Sequence, residues 1–86
     1  MKIRLSRHAK PEMDRRTIPM DLLESLLKNP QQVIEQPDGK MYTKSQFDFE
    51  GGKIFLFRAV VVEFADSALV VTVYRTKKIG KYWRTS

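Results

Sequence analysis

"KIFLFRAVVVEFADSALVVTVYRT", residues 53–76, is the stretch on which the fold turns. β-Branched and aromatic residues dominate it, and Asp66-Ser67 interrupts it with turn chemistry. It predicts two antiparallel strands, Lys53 to Phe64 and Leu69 to Thr76, joined by a hairpin. Side chains alternate between the faces of a sheet, so a slip of one residue exchanges the faces. A hairpin centred on Asp66-Ser67 sets Phe64 opposite Leu69, Val62 opposite Val71, Val60 opposite Val73 and Arg58 opposite Arg75.

Upstream, Met41 to Phe49 reads as a further strand, joined through Gly51-Gly52 as a two-residue hairpin signal. That centre sets Phe49 opposite Ile54, Phe47 opposite Leu56, Ser45 opposite Arg58 and Thr43 opposite Val60. The resulting face is nearly all apolar and belongs against helices, with Arg58, Arg75 and Ser45 as its one polar row. The other face carries Tyr42, Lys44, Gln46, Phe57, Ala59, Val61, Thr72, Tyr74 and Thr76. On it Lys44 and Tyr74 flank the small Ala59, a hollow in which a nucleotide can sit with its base on the tyrosine.

Before these strands, Pro37-Asp38-Gly39 reads as a turn and Val33 to Glu35 as a short strand. Leu22, Leu23, Leu26 and Leu27 form a stripe at helical spacing. Pro19 suits the first position of that helix, Asp21 and Glu24 its positive end, and Asn29-Pro30 its stop. Ser6 can cap an earlier helix running to about Arg16. Pro11 sits badly in it, so either the regular helix begins near Lys10 or its first turn is distorted. Lys77 to Ser86 is a basic, aromatic tail, read as a last short strand or helix. The expected fold is α+β: two N-terminal helices packed on one face of an antiparallel sheet of three to four strands, in a single domain over residues 1–86.

The 86 residues carry 16 Lys and Arg against 10 Asp and Glu, a formal charge of +6, which favours polyanionic partners. The basic residues gather at the two ends: Arg4, Arg7, Lys10, Arg15 and Arg16, then Arg75, Lys77, Lys78, Lys81 and Arg84. If the ends meet, they make one basic face. There is no cysteine, hence no disulfide and no thiolate metal site. Apolar runs stay well short of 18 residues and no signal-peptide pattern opens the chain, so a cytoplasmic protein without membrane contact is expected. The acids lack metal-ligand spacing, and no metal or other cofactor is expected.

His8 is the one histidine and the one side chain whose ordinary titration lies near neutrality. Arg58 and Arg75, set side by side, repel unless something negative compensates them. Either a helix acid such as Glu12 or Asp14 does so, or an external phosphate is held between the two guanidinium forks. With His8 as acid or base above them and Tyr74 as a further proton donor, the set suits metal-free RNA cleavage by 2′-hydroxyl attack. His8, Arg58, Arg75 and Tyr74 are therefore the catalytic candidates. Arg7, Arg16, Lys44, Lys77, Lys78, Lys81 and Arg84 are the candidates for nucleic-acid binding.

Ser6-Arg7-His8-Ala9, then Met13, Arg16 and Ile18, then a helix ending at Asn29-Pro30, resemble a family of small bacterial domains of unknown function. Its pattern is roughly HA-x-x-R-M-x-x-R-G-I, with a later strand like Val71-Thr72-Val73-Tyr74, and the likeness spans about residues 5 to 83. Glu12 stands where the pattern has arginine, and Thr17 where it has glycine. That family looks related to the RelE/ParE and BrnT toxins. The resemblance implies a toxin of a toxin–antitoxin pair: an mRNA-cleaving endoribonuclease, working in some cases on ribosome-bound message, silenced by an acidic antitoxin protein. The alternative is a non-catalytic module of the same fold that binds nucleic acid or a protein partner.

Overall fold

The computed structural model describes residues 2–49 and 51–83. Five strands form one sheet: β1 (Lys2–Leu5), β2 (Gln32–Glu35), β3 (Lys40–Phe49), β4 (Lys53–Glu63) and β5 (Ser67–Thr76). Their spatial order is β1-β5-β4-β3-β2. The helices are α1 (Ala9–Arg15), α2 (Met20–Lys28) and the single turn α3 (Ile79–Tyr82). The expected three- to four-stranded antiparallel sheet behind two leading helices is thus corrected. The described chain starts in a strand, β1 runs parallel to β5, and the sheet is mixed. Lys2–Leu5 carries only two apolar residues, Ile3 and Leu5, too few to announce a strand.

Both hairpin registers differ from expectation. Phe49 pairs with Lys53, so three residues rather than two lie between β3 and β4. Val62 pairs with Leu69 and Val60 with Thr72, which leaves Val71 as an extra residue in β5 at a bulge. The consequence is an exchange of faces on β4. Phe55, Phe57, Ala59 and Val61 point at the helices, and Leu56, Arg58 and Val60 point away. Phe64, expected inside, is 53% exposed beside Arg4.

The core lies between the odd-numbered face of β4 and the two longer helices. Ala9 and Met13 of α1, Ile18 of the connection, and Leu23 and Leu26 of α2 pack on Phe55, Phe57, Ala59, Val61, Ala68, Val70 and Val73. Phe47 meets Phe57 edge to face at 5.6 Å between ring centres. Buried hydroxyls on this face are satisfied: Thr43 donates to the Ala59 carbonyl, and Ser45 Oγ accepts from the Gln31 amide at 2.9 Å.

Ser6 ties three elements together. Its amide donates to the Val70 carbonyl, its hydroxyl accepts from the Ala9 amide at 3.0 Å, and the same hydroxyl donates to the Val71 carbonyl at 2.7 Å. The hydroxyl therefore supports the start of α1 and holds the bulge residue of β5. Pro11 falls within the first turn, where no intrahelical donor is lost. The other end of α1 closes with the Ile18 amide on the Met13 carbonyl and the Thr17 amide on the Asp14 carbonyl. That closure puts Thr17 at φ 53, left-handed backbone that a β-branched residue resists.

Replacing Thr17 with glycine relieves that strain. Thr17→Gly is expected to stabilise the domain by about 1 kcal/mol, raising the thermal midpoint by roughly 4–8 °C. Ser6→Ala removes a cap acceptor and leaves the Val71 carbonyl without this donor, for a loss of about 1–3 kcal/mol read by urea unfolding.

Candidate nucleic-acid interface

The face of the sheet turned away from α1 and α2 carries a row of polar side chains across three adjacent strands. Lys44 on β3 pairs with Arg58 on β4, and Arg58 with Tyr74 on β5. Arg58 Nη1 donates to the Tyr74 hydroxyl. The Arg58 guanidinium also lies over two phenol rings, 5.1 Å from the centre of Tyr74 and 6.0 Å from that of Tyr42. Such contacts are worth about 0.5–2 kcal/mol each and hold the cation in one orientation. Tyr42, Arg58 and Tyr74 are half-buried. Lys44 is only 4% exposed, so it does not present its ammonium to a ligand.

Arg16 extends the row past the β5 edge. It follows α1, and its guanidinium lies 5.9 Å from the centre of the Tyr74 ring. Arg16 Nε donates to Glu12 Oε2 at 2.9 Å, and Arg15 forms a second ion pair with the same carboxylate. Glu12 is 9% exposed, and a carboxylate at that depth needs such pairing. The spacings are i,i+3 and i,i+4, which place these side chains together on one helical face. A helix acid such as Glu12 or Asp14 was one of two alternatives for compensating Arg58 and Arg75, the other being an external phosphate. Glu12 instead engages Arg15, the last residue of α1, and Arg16, which follows it.

Arg75 stands on the opposite face from Arg58. It pairs with Phe57, its guanidinium lies 4.9 Å from the Phe55 ring centre, and its Nε donates to the Arg16 carbonyl at 2.9 Å. The expected side-by-side pair of Arg58 and Arg75 is therefore absent. The β3–β4 hairpin has slipped by one residue and the β4–β5 hairpin by two, reduced to one beyond the bulge, where β5 changes its inward side. Lys77 approaches the same Phe55 ring at 5.5 Å and is exposed.

His8 is exposed and immediately precedes α1. Arg16 follows the other end of the helix, about 12 Å along the axis at the usual rise per residue. His8 is thus grouped with Arg7 at one end of α1, and Arg75 with Arg16 at the other. Lys78 and Lys81 are exposed around α3, and Arg84 lies outside the described residues. Tyr42 and the orienting role of Glu12 escaped the sequence reading. The Glu12–Arg15–Arg16 spacing was a usable signal for the second, whereas Tyr42 needed the true register.

Among the described residues no cluster of three His, Cys, Asp or Glu side chains is placed to hold a metal ion. No helix among them is long and apolar enough to cross a membrane. The arrangement brings two guanidiniums close to one phenol. That is chemistry suited to a phosphodiester: charge-assisted donors for its oxygens and a hydroxyl able to donate a proton.

Comparison with curated proteins and with solved structures gives no match. A family model described as a domain of unknown function, DUF4258, matches residues 5–75. With most of its length matched, from the last residue of β1 through α1, α2, β2, β3 and β4 to Arg75 of β5, the chain belongs to the DUF4258 family.

Proposed function

We propose that this domain is the toxin of a toxin–antitoxin pair, related to the RelE/ParE and BrnT toxins in activity. On this reading it cleaves mRNA without a metal ion and is neutralised by an acidic antitoxin protein. The observation that carries the reading is the Arg58–Tyr74 pair on the sheet face turned away from α1 and α2, with the Arg16 guanidinium near the same ring. Arg58 and Arg16 hold the scissile phosphate and stabilise the charge that builds on it as the 2′ oxygen attacks. The bond from the 2′ oxygen to phosphorus forms, the bond from phosphorus to the 5′ oxygen breaks, and a 2′,3′-cyclic phosphate results. Tyr74 accepts a hydrogen bond from Arg58 and, being a hydroxyl, also donates. It gives its proton to the leaving 5′ oxygen and regains one from solvent, which also takes the 2′ proton.

A second reading is favoured by the position of His8 at the far end of α1 from Arg16. With no imidazole beside the row, the same face can bind RNA without turning it over. Salt dependence of binding is then steep and cleavage products are absent.

Incubation of the purified protein with RNA in the presence of a chelator is expected to yield cyclic phosphate ends. Tyr74→Phe is expected to slow cleavage by about 10²–10⁴-fold while RNA is still retained. Arg58→Ala is expected to lower the rate by about 10²–10³-fold and to weaken retention as well. In cells, expression arrests growth, and a co-expressed antitoxin relieves the arrest. RNA left intact by the wild-type protein, both free and on translating ribosomes, removes the catalytic reading. Retention without cleavage selects the second.

A further inference from the structure

Two cationic groups lie on opposite faces of the sheet and meet at Arg16. On one face stand Arg58 and the Tyr74 ring, with the Arg16 guanidinium 5.9 Å from that ring. On the other stand Arg75 and Lys77, 4.9 Å and 5.5 Å from the Phe55 ring. The Arg16 main chain joins the two, because its carbonyl accepts from Arg75 Nε at 2.9 Å. Glu12 fixes the Arg16 side chain at this corner through Nε. Beyond Val70, β5 has no β1 residue beside it, so this corner falls where no further strand continues the sheet.

We infer that these residues form one continuous track for a single-stranded polynucleotide, which crosses the open face at Arg58, turns at Arg16 and continues onto Arg75 and Lys77. The inference rests on the reading of the open face as an RNA site and adds the path and the strandedness of the ligand. Strandedness follows from the turn. The domain has a radius of gyration of 12.4 Å, and the track passes from one face of its sheet to the other. A duplex with a persistence length of about 150 base pairs does not bend on that scale, whereas a single strand does. Arg58, Arg75 and Lys77 are oriented by contacts to an aromatic ring or a carbonyl, and Arg16 by the Glu12 carboxylate. The series therefore presents fixed charges at successive points along a flexible polyanion, where solvated lysines on a surface present mobile ones. An acidic protein segment matches the charge, yet it has no regular row of phosphates.

Lys77 gives the sharpest test, because it is exposed and approaches the Phe55 ring rather than the Arg58–Tyr74 pair. Binding of a labelled 12-nucleotide oligouridine is followed by anisotropy over a range of KCl concentrations. Four phosphate contacts give a log–log salt slope of about −2.8, at about 0.7 per contact on a single strand. Lys77→Gln is expected to weaken binding several-fold and to lower the slope by about 0.7. Arg75→Gln is expected to do the same, and exposed Lys28 of α2, as Lys28→Gln, to change neither. The far-ultraviolet circular dichroism of each variant checks the fold, and Lys77→Gln alone decides if Arg75→Gln unfolds. If Arg58→Gln weakens binding while Lys77→Gln matches the wild type, the strand stays on the open face: the track is overturned and the RNA site stands. Tighter binding of a duplex of the same length, or equal displacement by polyglutamate at matched charge, also overturns the track. Failure of the wild-type protein to bind the oligonucleotide overturns the track and the RNA site together.

Discussion

Val71 has no partner of its own in β4, and this one surplus residue sets the direction of everything after it in β5. Before it, Ala68 and Val70 face the helices. Strict alternation from there would send Thr72, Tyr74 and Thr76 inward. The bulge reverses the order, so Val73 enters the core and Tyr74 emerges beside Arg58. Ser6 holds the reversal in place through its hydrogen bond to the Val71 carbonyl. The packing of the core and the composition of the open face are therefore two results of one local irregularity. Bulges of this sort commonly re-aim a side chain next to a functional site.

The arginines around that site are compensated in different ways. Glu12 takes Arg15 and Arg16. Arg58 rests on the faces of Tyr42 and Tyr74, and Arg75 on Phe55 and a main-chain carbonyl. Aromatic faces and carbonyl groups orient a guanidinium without cancelling its formal charge, unlike a carboxylate. The acid in α1 matters because it secures the corner arginine, one carboxylate serving both Arg15 and Arg16.

Much of the fold could be read from local chemistry. The leucine stripe, with Pro19 before it and Asn29-Pro30 after it, located α2 within a residue, and Pro37-Asp38-Gly39 located the turn between β2 and β3. The extents of β3, β4 and β5 were also close to those found. The register was not legible. Val60-Val61-Val62 and Val70-Val71 are runs of one residue type with no alternation, and any frame across them looks equally apolar. Placing Arg58 opposite Arg75 rested on such a frame. The individual site residues were visible as basic and aromatic side chains. Their grouping was not, because it depends on the bulge and on a three-residue connection that glycines alone did not distinguish from a two-residue one. β1 was missed for a different reason: its partner is at the far end of the chain, and pairing of that kind leaves no local mark.

That distance has a consequence during synthesis. The bond from Ser6 to Val71 spans 65 positions, and the bond from Arg75 to Arg16 spans 59. Neither β1 nor the seated form of α1 exists until the last strand has been translated. At roughly 5–20 residues per second, the leading segment waits roughly 3–13 s for its partners. Throughout that interval a nascent chain has Arg16 and Tyr74 in separate, unassembled pieces, and the corner that joins the two faces comes into being only as translation of this region ends.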